Sequence, residues 1–258
     1  MLKKLLLTLI LIFTLSACSN IDNSAKEIYE KTMEASQNLE SFQMEMDMNQ
    51  EVSIPEMEQA FSVEMKSIAK IHVEPQAFYQ QMEFLDQKAE MYFTDEGFFI
   101  QQGGDQGWIK APAEMVDQLN AMQDQQSPSQ QLVQLENYIE DFELEEHPDY
   151  YEVSLYSKGD KMLDLIKEQL EQNNITGTEL DTEMLNNVKI NHVDIIFSVD
   201  KENYYPLTFN MSIEIEDTQN GQSSVAKIDV NGVYSNFNEV EEIKVPEEIV
   251  NSAQEMTP

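Results

Sequence analysis

The sequence contains no arginine, and its 15 basic residues, all lysines, are outnumbered by 49 aspartates and glutamates. The formal net charge of −34 leaves no positively charged footprint, which argues against nucleic acid as a partner. The same charge disfavours contact between the body of the protein and anionic lipid headgroups. We interpret the acidic surface mainly as a source of solubility and of repulsion from an anionic cell envelope, with cation capture by carboxylates as the alternative.

Cysteine occurs once, at Cys18, so the chain cannot form an internal disulfide. Two lysines and a largely apolar run over residues 5–13 precede it, which is typical of an export signal. The run is shorter than the roughly 20 residues that a membrane-spanning helix needs. Leu15-Ser16-Ala17-Cys18 is similar to the bacterial lipobox, whose cysteine sulfur carries diacylglycerol after cleavage of the chain before it. We therefore predict a lipoprotein signal peptide at residues 1–17 and a lipid anchor on Cys18, at the extracytoplasmic face of the cell membrane.

The motifs of common enzyme chemistry are missing from the sequence. It has no phosphate-binding glycine loop, no dinucleotide fingerprint, no His-Glu-x-x-His helix and no Gly-x-Ser-x-Gly elbow. The histidines, His72, His147 and His192, lack the spacing of metal ligands, and lipidation would remove the single cysteine as a nucleophile. We therefore expect a protein that is not an enzyme and that needs no cofactor and no metal, with a loose calcium site as the alternative.

Alternating apolar and polar residues predict most of the structure of the mature chain. Over residues 42–49 every even position is apolar and every odd position is polar, which predicts a strand with one dry and one wet face. The same alternation predicts further strands within residues 61–110 and 150–240. Short turns such as Asp95-Glu96-Gly97 separate neighbouring strands, so we expect an antiparallel meander.

Helical periodicity marks the segments between and before these strands. The predicted helices span residues 25–40, 113–124, 128–142, 160–173 and 246–253. Ser24 is the expected N-cap of the first helix. The predicted fold is α+β, a strongly curved antiparallel sheet forming an unclosed half-barrel, with amphipathic helices covering its concave face. We expect residues 18–24 to be a lipidated tether and residues 25–256 to form a single domain.

Several short motifs occur together in the mature chain. They are Ala25-x-x-Ile28-x-x-Lys31, Tyr92-x-Thr94-Asp95-Glu96-Gly97, Gly107-Trp108-x-Lys110 and Gly232-x-Tyr234-Ser235-Asn236-Phe237-Asn238. With the lipobox and a Met-rich first strand, they resemble a family of uncharacterised lipoproteins from Gram-positive bacilli. That family is similar to the LolA/LppX-like lipoprotein fold, an unclosed antiparallel barrel with helices on its concave side. The resemblance implies carriage of lipid or another apolar molecule between sheet and helices.

Met44, Met46 and Met48 lie at alternate positions of the first strand, which places their thioethers on one face about 6–7 Å apart. Three interpretations stay open: packing in the core, a Cu(I) site formed by soft sulfurs, or a flexible lining for varied apolar ligands. Phenylalanine and methionine recur in the same phase of other strands. The residues predicted to line an apolar ligand site are Phe42, Met44, Met46, Met48, Phe61, Val63, Met65, Phe78, Met82, Phe209, Met211 and Ile213.

The leading expectation is a lipid-anchored, extracytoplasmic protein that binds a lipid or another apolar ligand and has no enzymatic activity. One alternative is a structural or protein-interaction lipoprotein of the cell envelope with a filled core, and another is a cation-binding surface protein. The expected partners are the membrane, through Cys18, and the apolar ligand, whereas the sequence indicates no particular protein partner. A cavity above about 300 Å³ between sheet and helices would favour carriage of a ligand, and a concavity filled by the helices at 25–40 and 113–142 without such a cavity would rule it out.

Overall fold

The computed structural model describes residues 24–54, 60–103, 107–112, 128–133, 135–157, 188–219 and 222–256. The strands are β1 Ser41–Ser53, β2 Phe61–His72, β3 Ala77–Phe84, β4 Gln87–Thr94, β5 Gly97–Gln102, β6 Ile109–Lys110, β7 Glu143–Glu146, β8 Tyr150–Ser157, β9 Val188–Asp200, β10 Pro206–Gln219, β11 Gln222–Ser235 and β12 Gln254–Glu255. The helices are α1 Ala25–Gln37, α2 Pro128–Val133, a 3-10 helix Glu136–Asp141 and α3 Glu247–Ser252. Cys18 and the predicted helices at 113–124 and 160–173 lie outside the described residues.

The described strands form one sheet in the order β12-β6-β5-β4-β3-β2-β1-β11-β10-β9-β8-β7. Every neighbouring pair is antiparallel except β6 and β12, which are parallel. Strand β1 lies between β2 and β11 and so joins the two strand-rich blocks of the sequence into a single sheet. The predicted large, curved and unclosed antiparallel sheet is therefore confirmed.

Helix α1 begins where the sequence predicts. The Ser24 Oγ accepts a hydrogen bond from the Glu27 backbone N–H at 3.2 Å, which satisfies one of the free donors of the first turn. The helix ends at Gln37, three residues before the predicted end at residue 40. The Asn38 side chain donates to the Glu34 carbonyl at 2.7 Å, and the buried Leu39 then leads the chain into β1.

One side of α1 packs on the apolar face of the sheet. Ile28 and Tyr29 are buried in a cluster with Val153 and Leu155 of β8 and with Phe197 of β9. The Tyr29 hydroxyl also donates to the carbonyl of Leu132 in α2 at 2.7 Å, so the two helices are tied together. Helical cover is thus described over the β8–β9 part of the sheet, and cover of the whole concave face stays a prediction.

The predicted helix at residues 128–142 is interrupted in the structure. Helix α2 ends at Val133, and the N–H groups of Leu135 and Tyr138 donate to carbonyls three residues earlier, at 2.8 and 2.9 Å. This bonding pattern belongs to the tighter 3-10 geometry. Phe142 is already extended, and it is buried in the same cluster as Leu135. The change of geometry allows the side chains of Leu135 and Phe142 to be buried in this one cluster.

A second, smaller core lies on the opposite face of the sheet. Phe98 and Phe99 are adjacent in β5 and both buried, so they face opposite sides. Phe99 packs with Val245 and Ile249 of the C-terminal segment, and Trp108 lies against this cluster. The face opposite the apolar one, called the polar face below, is therefore covered by residues 245–253 near β5 and β6. No helix among the described residues has both the length and the apolar character needed to cross a membrane.

Candidate functional site

All twelve predicted lining residues lie on one face of the sheet. Directly paired residues of antiparallel strands share a face. The register places Met48 between Met65 of β2 and Val230 of β11, and Val230 in turn opposite Met211 of β10. The same pairing connects the other members across β1, β2, β3, β10 and β11. The face that carries these residues is called the apolar face below.

Burial divides this face into two parts. Phe42 and Met44 are buried against Ile71, Ala69 and Tyr234, so they belong to a packed core. Farther along β1, Met46 and Met48 are partly exposed. The structure therefore places Met44 in a packed core and leaves Met46 and Met48 partly exposed, although the sequence groups all three together.

We call the partly covered area the open apolar face. Its members are side chains of β1, β2, β3, β10 and β11 that are partly or largely exposed: Met46, Met48, Phe61, Val63, Met65, Met82, Phe84, Met211, Ile213, Ile228 and Val230. The most exposed are Phe61, at 53%, and Phe84, at 45%. Large contiguous apolar patches mark interaction or ligand sites more often than ordinary surface. Methionine suits such a surface because its unbranched, polarizable side chain adapts to varied partners.

Two polar side chains interrupt the apolar face and satisfy each other. The Gln80 Nε2 donates to the Ser67 Oγ at 2.8 Å, and Ser67 is buried. Ser67 pairs with Met46 of β1 and Met82 of β3, at the border of the open apolar face. The hydrogen bond removes the cost of a lone buried hydroxyl at that border.

A polar cavity of about 430 Å³ lies on the opposite face of the sheet, and sequence reasoning missed it. Its floor is the row Gln43, Lys70, Tyr79 and Tyr92, which are paired across β1, β2, β3 and β4. Residues 239–244 of the C-terminal segment form its other side. None of the twelve predicted lining residues borders this cavity. The available signal was the pair of tyrosines at polar-face positions of two successive strands.

The two tyrosines of the cavity pack against each other, and one of them donates a hydrogen bond. Their ring centroids are 4.7 Å apart, and the Tyr79 hydroxyl donates to the Glu90 carboxylate at 3.2 Å. Burial, with the negative charge of Glu90, raises the pKa of Tyr79 to about 12. Burial also raises the pKa of Tyr92. Both phenols therefore stay protonated at neutral pH, and this cavity offers polar contacts rather than a surface for an acyl chain.

The chain matches one family model, described as a family of unknown function (DUF6612), over residues 24–254. No curated protein is significantly similar to it in sequence.

Solved structures that resemble the chain include proteins of lipoprotein-sorting type. A LolA superfamily protein from Nitrosomonas europaea is 11% identical, covers 88% of this chain and 97% of its own, and has a TM-score of 0.24. A putative outer membrane lipoprotein-sorting protein domain from Vibrio parahaemolyticus is 10% identical, with 80% and 92% coverage and a TM-score of 0.25. A DUF1329 family protein from Desulfovibrio piger is 10% identical, with 82% and 91% coverage and a TM-score of 0.23. At these TM-scores the description of the fold rests on the strand pairing given above.

Proposed function

We propose that this chain, which belongs to the DUF6612 family of unknown function, is a non-enzymatic lipoprotein that binds a lipid acyl chain or another apolar ligand on its open apolar face. The proposal includes export through residues 1–17 and anchoring by lipid on Cys18. The anchor would hold the binding face outside the cytoplasmic membrane, within reach of membrane lipids.

The observation that carries the proposal is the exposure of methionine, isoleucine, valine and phenylalanine side chains across five neighbouring strands. Covering about 300 Å² of an acyl chain, at roughly 25 cal/mol per Å², would contribute roughly 7 kcal/mol before the costs of association. That contribution supports reversible binding in the range expected of a carrier. A filled core would leave no such area for a ligand.

A row that includes two small residues, Gly232 and Ser67, runs along the border of the open apolar face. The register aligns Phe209, Gly232, Met46, Ser67 and Met82 on successive strands from β10 to β3. A Cβ atom at position 232 would lie 3.3 Å from the Phe209 carbonyl oxygen, and this close approach accounts for the glycine. The row therefore has no side chain at that position. The row is therefore lower at Gly232 and Ser67 than at its methionines. We propose that an extended acyl chain lies along this row, across the strands.

The negative charge of the protein limits which lipids it is expected to bind. The formal net charge of −34 would repel an anionic headgroup. We therefore expect neutral or zwitterionic lipids to bind better than phosphatidylglycerol of the same chain length. An interaction surface for an apolar protein partner is the second candidate, since Phe61 and Phe84 project large exposed side chains from the same area.

Lipid extraction and native mass spectrometry of the purified mature protein test the proposal. We expect co-purifying lipid, and displacement of a neutral fluorescent acyl probe by diacylglycerol in solution. The variant Ile228→Gln, on the open apolar face, should weaken binding of the fluorescent probe by about tenfold. The matched control is Val233→Gln in the same strand, because Val233 is exposed on the polar face.

Equal affinity of both variants for the probe would contradict binding on the open apolar face. Absence of lipid and of probe binding, together with self-association or capture of an apolar protein segment, would favour the interaction surface instead.

A further inference from the structure

The hairpin of β7 and β8 brings two carboxylates and an imidazole together at one edge of the sheet. Glu145 and Glu152 are directly paired on the two strands, and such like charges destabilise a sheet unless a cation lies between them. His147 follows in the turn of the hairpin. One ligand-type atom from each of the three side chains lies within 4.8 Å of the other two.

The imidazole of His147 is held in place by the hairpin. Its ring stacks on Tyr150, with centroids 4.4 Å apart and planes 15° apart, and its backbone N–H donates to the Tyr150 carbonyl at 3.0 Å. The Nε2 atom is shielded from solvent and has no hydrogen-bond partner. The nearest recorded carboxylate oxygen, Oε1 of Glu145, is 3.7 Å away, which is too long for a hydrogen bond. A buried nitrogen without a partner beside two carboxylates calls for a ligand.

We propose that Glu145, His147 and Glu152 bind a divalent transition-metal ion, with Zn²⁺ as the best fit and water at the remaining position. Ligand atoms about 2.0–2.2 Å from a tetrahedral zinc ion are about 3.4 Å from one another. The 3.7 Å between Glu145 and His147 is close to this value, and the other separations, which are within 4.8 Å, would shorten when the ion binds. Ca²⁺ and Mg²⁺ prefer oxygen ligands alone, whereas one nitrogen and two carboxylates suit zinc or manganese.

Neighbouring charges leave the two glutamates of this site available to a metal. Lys201, the closest lysine recorded at this hairpin, forms an ion pair with Glu146 at 2.7 Å. Glu146 pairs with Tyr151 in the register and so lies on the apolar side of β7, opposite to Glu145. Lys201 therefore neutralises Glu146, which lies between Glu145 and His147 in the sequence, and not the proposed ligands.

The site goes beyond lipid binding and lies on the other face of the sheet. Glu152 pairs with Ser198, Ser198 pairs with Thr208, and Thr208 pairs with Val233, so all four residues lie on the polar face. A metal here would connect β7, the last strand of the described sheet, to β8. Since only the folded hairpin brings the ligands together, binding would raise the unfolding temperature, and above the dissociation constant the rise would follow the logarithm of the metal concentration.

Calorimetric titration of the chelator-treated mature protein with ZnCl₂ tests the proposal, with CaCl₂ and MgCl₂ in parallel. We expect one zinc equivalent, weaker calcium and magnesium binding, and a zinc-dependent rise in unfolding temperature. Loss of an outer partner of a metal site costs about 10–100-fold in affinity, so His147→Gln and Glu145→Gln should each cost about 100-fold or more. The matched control is His192→Gln, because His192 lies 3.8 Å from Asp194 but, within the described part of the chain, no third ligand-type side chain groups with this pair.

Glu146→Gln serves as a second control for folding of the same strand, checked by circular dichroism. Zinc affinity that falls for His147→Gln and Glu145→Gln, but not for His192→Gln or Glu146→Gln, would support the site. No stoichiometric zinc binding, equal losses in all four variants, or calcium binding as tight as zinc binding would overturn it.

Discussion

Two parts of the apolar face have the same alternating sequence pattern and different surroundings. Under α1 and α2, the side chains of β8 and β9 are sealed: Val153 and Phe197 are almost wholly buried. On the open apolar face, Met48 of β1 and its partner Val230 of β11 stay partly exposed. We call the first area the sealed region. It is the part of the apolar face on which α1 and α2 pack.

The difference shows what alternation in a strand determines. A period of two assigns each side chain to a face, because successive residues point in opposite directions. It does not determine whether that face is buried, which depends on the element that packs against it. The sealed region should therefore contribute mainly to stability, and the open apolar face mainly to binding. The predictions below test this division.

The largest expected effect is loss of a core phenylalanine. Phe197→Ala removes a fully buried ring that packs edge-on against Phe142 at 5.8 Å, and we expect a loss of about 3–5 kcal/mol in unfolding free energy. Phe61→Ala, on the open apolar face, is the matched control and should cost within about 1 kcal/mol. Urea unfolding monitored by circular dichroism measures both. Similar losses would show that the two regions are not distinct.

Alkaline pH should weaken the sealed region next. Burial, with the charge of Glu136 adding to it, raises the pKa of Tyr29 to about 12, whereas an unfolded tyrosine titrates near 10. The stabilisation is full below pH 10 and is lost as the pH rises from about 10 towards 12, by up to about 1.4 kcal/mol per pH unit.

Urea unfolding at a series of alkaline pH values measures this loss, and Tyr29→Phe should make it shallower. Tyr79, whose pKa is also about 12, accounts for part of the remaining loss and lies outside the sealed region, so Tyr79→Phe is the comparison. A fall in stability that Tyr29→Phe leaves unchanged would contradict the assignment.

A smaller effect is expected at the border of the open apolar face. Ser67→Ala leaves the Gln80 side-chain amide without its acceptor at 2.8 Å, and the expected cost is about 1 kcal/mol of unfolding free energy. The double variant Ser67→Ala/Gln80→Leu removes both partners and should recover most of it. Thermal unfolding of the single and double variants tests this, and an equal or larger loss in the double variant would contradict the account.

Most of the sheet was predictable because its determinants are local. Alternation placed all twelve candidate lining residues on one face, and Ser24 was recognisable as a cap because capping depends on a few adjacent residues. The early end of α1 and the 3-10 turn after α2 were not predictable, since both follow from tertiary packing.

The features that sequence reasoning missed depend on long-range placement. The polar cavity requires residues 239–244 to lie over a row of four strands, which no local pattern encodes. Adjacent Phe98 and Phe99 were the available sign that both faces of β5 are covered. Likewise, His147 lacks any ligand spacing along the chain, and it meets Glu152 only because the β7–β8 hairpin folds back in this register.

The smallest effect expected on stability concerns the methionines themselves. Met46→Leu and Met48→Leu conserve volume and apolarity at partly exposed positions, so each should change the unfolding free energy by about 0.5 kcal/mol or less. They remove side-chain flexibility, however, and the double variant should bind a narrower range of acyl chain lengths than the parent protein. Met44→Leu is the matched control, because Met44 lies in a packed core. Displacement of the neutral fluorescent acyl probe by neutral lipids of increasing acyl length measures the range, and an unchanged range in the double variant would show that methionine serves the open apolar face only as an apolar filler.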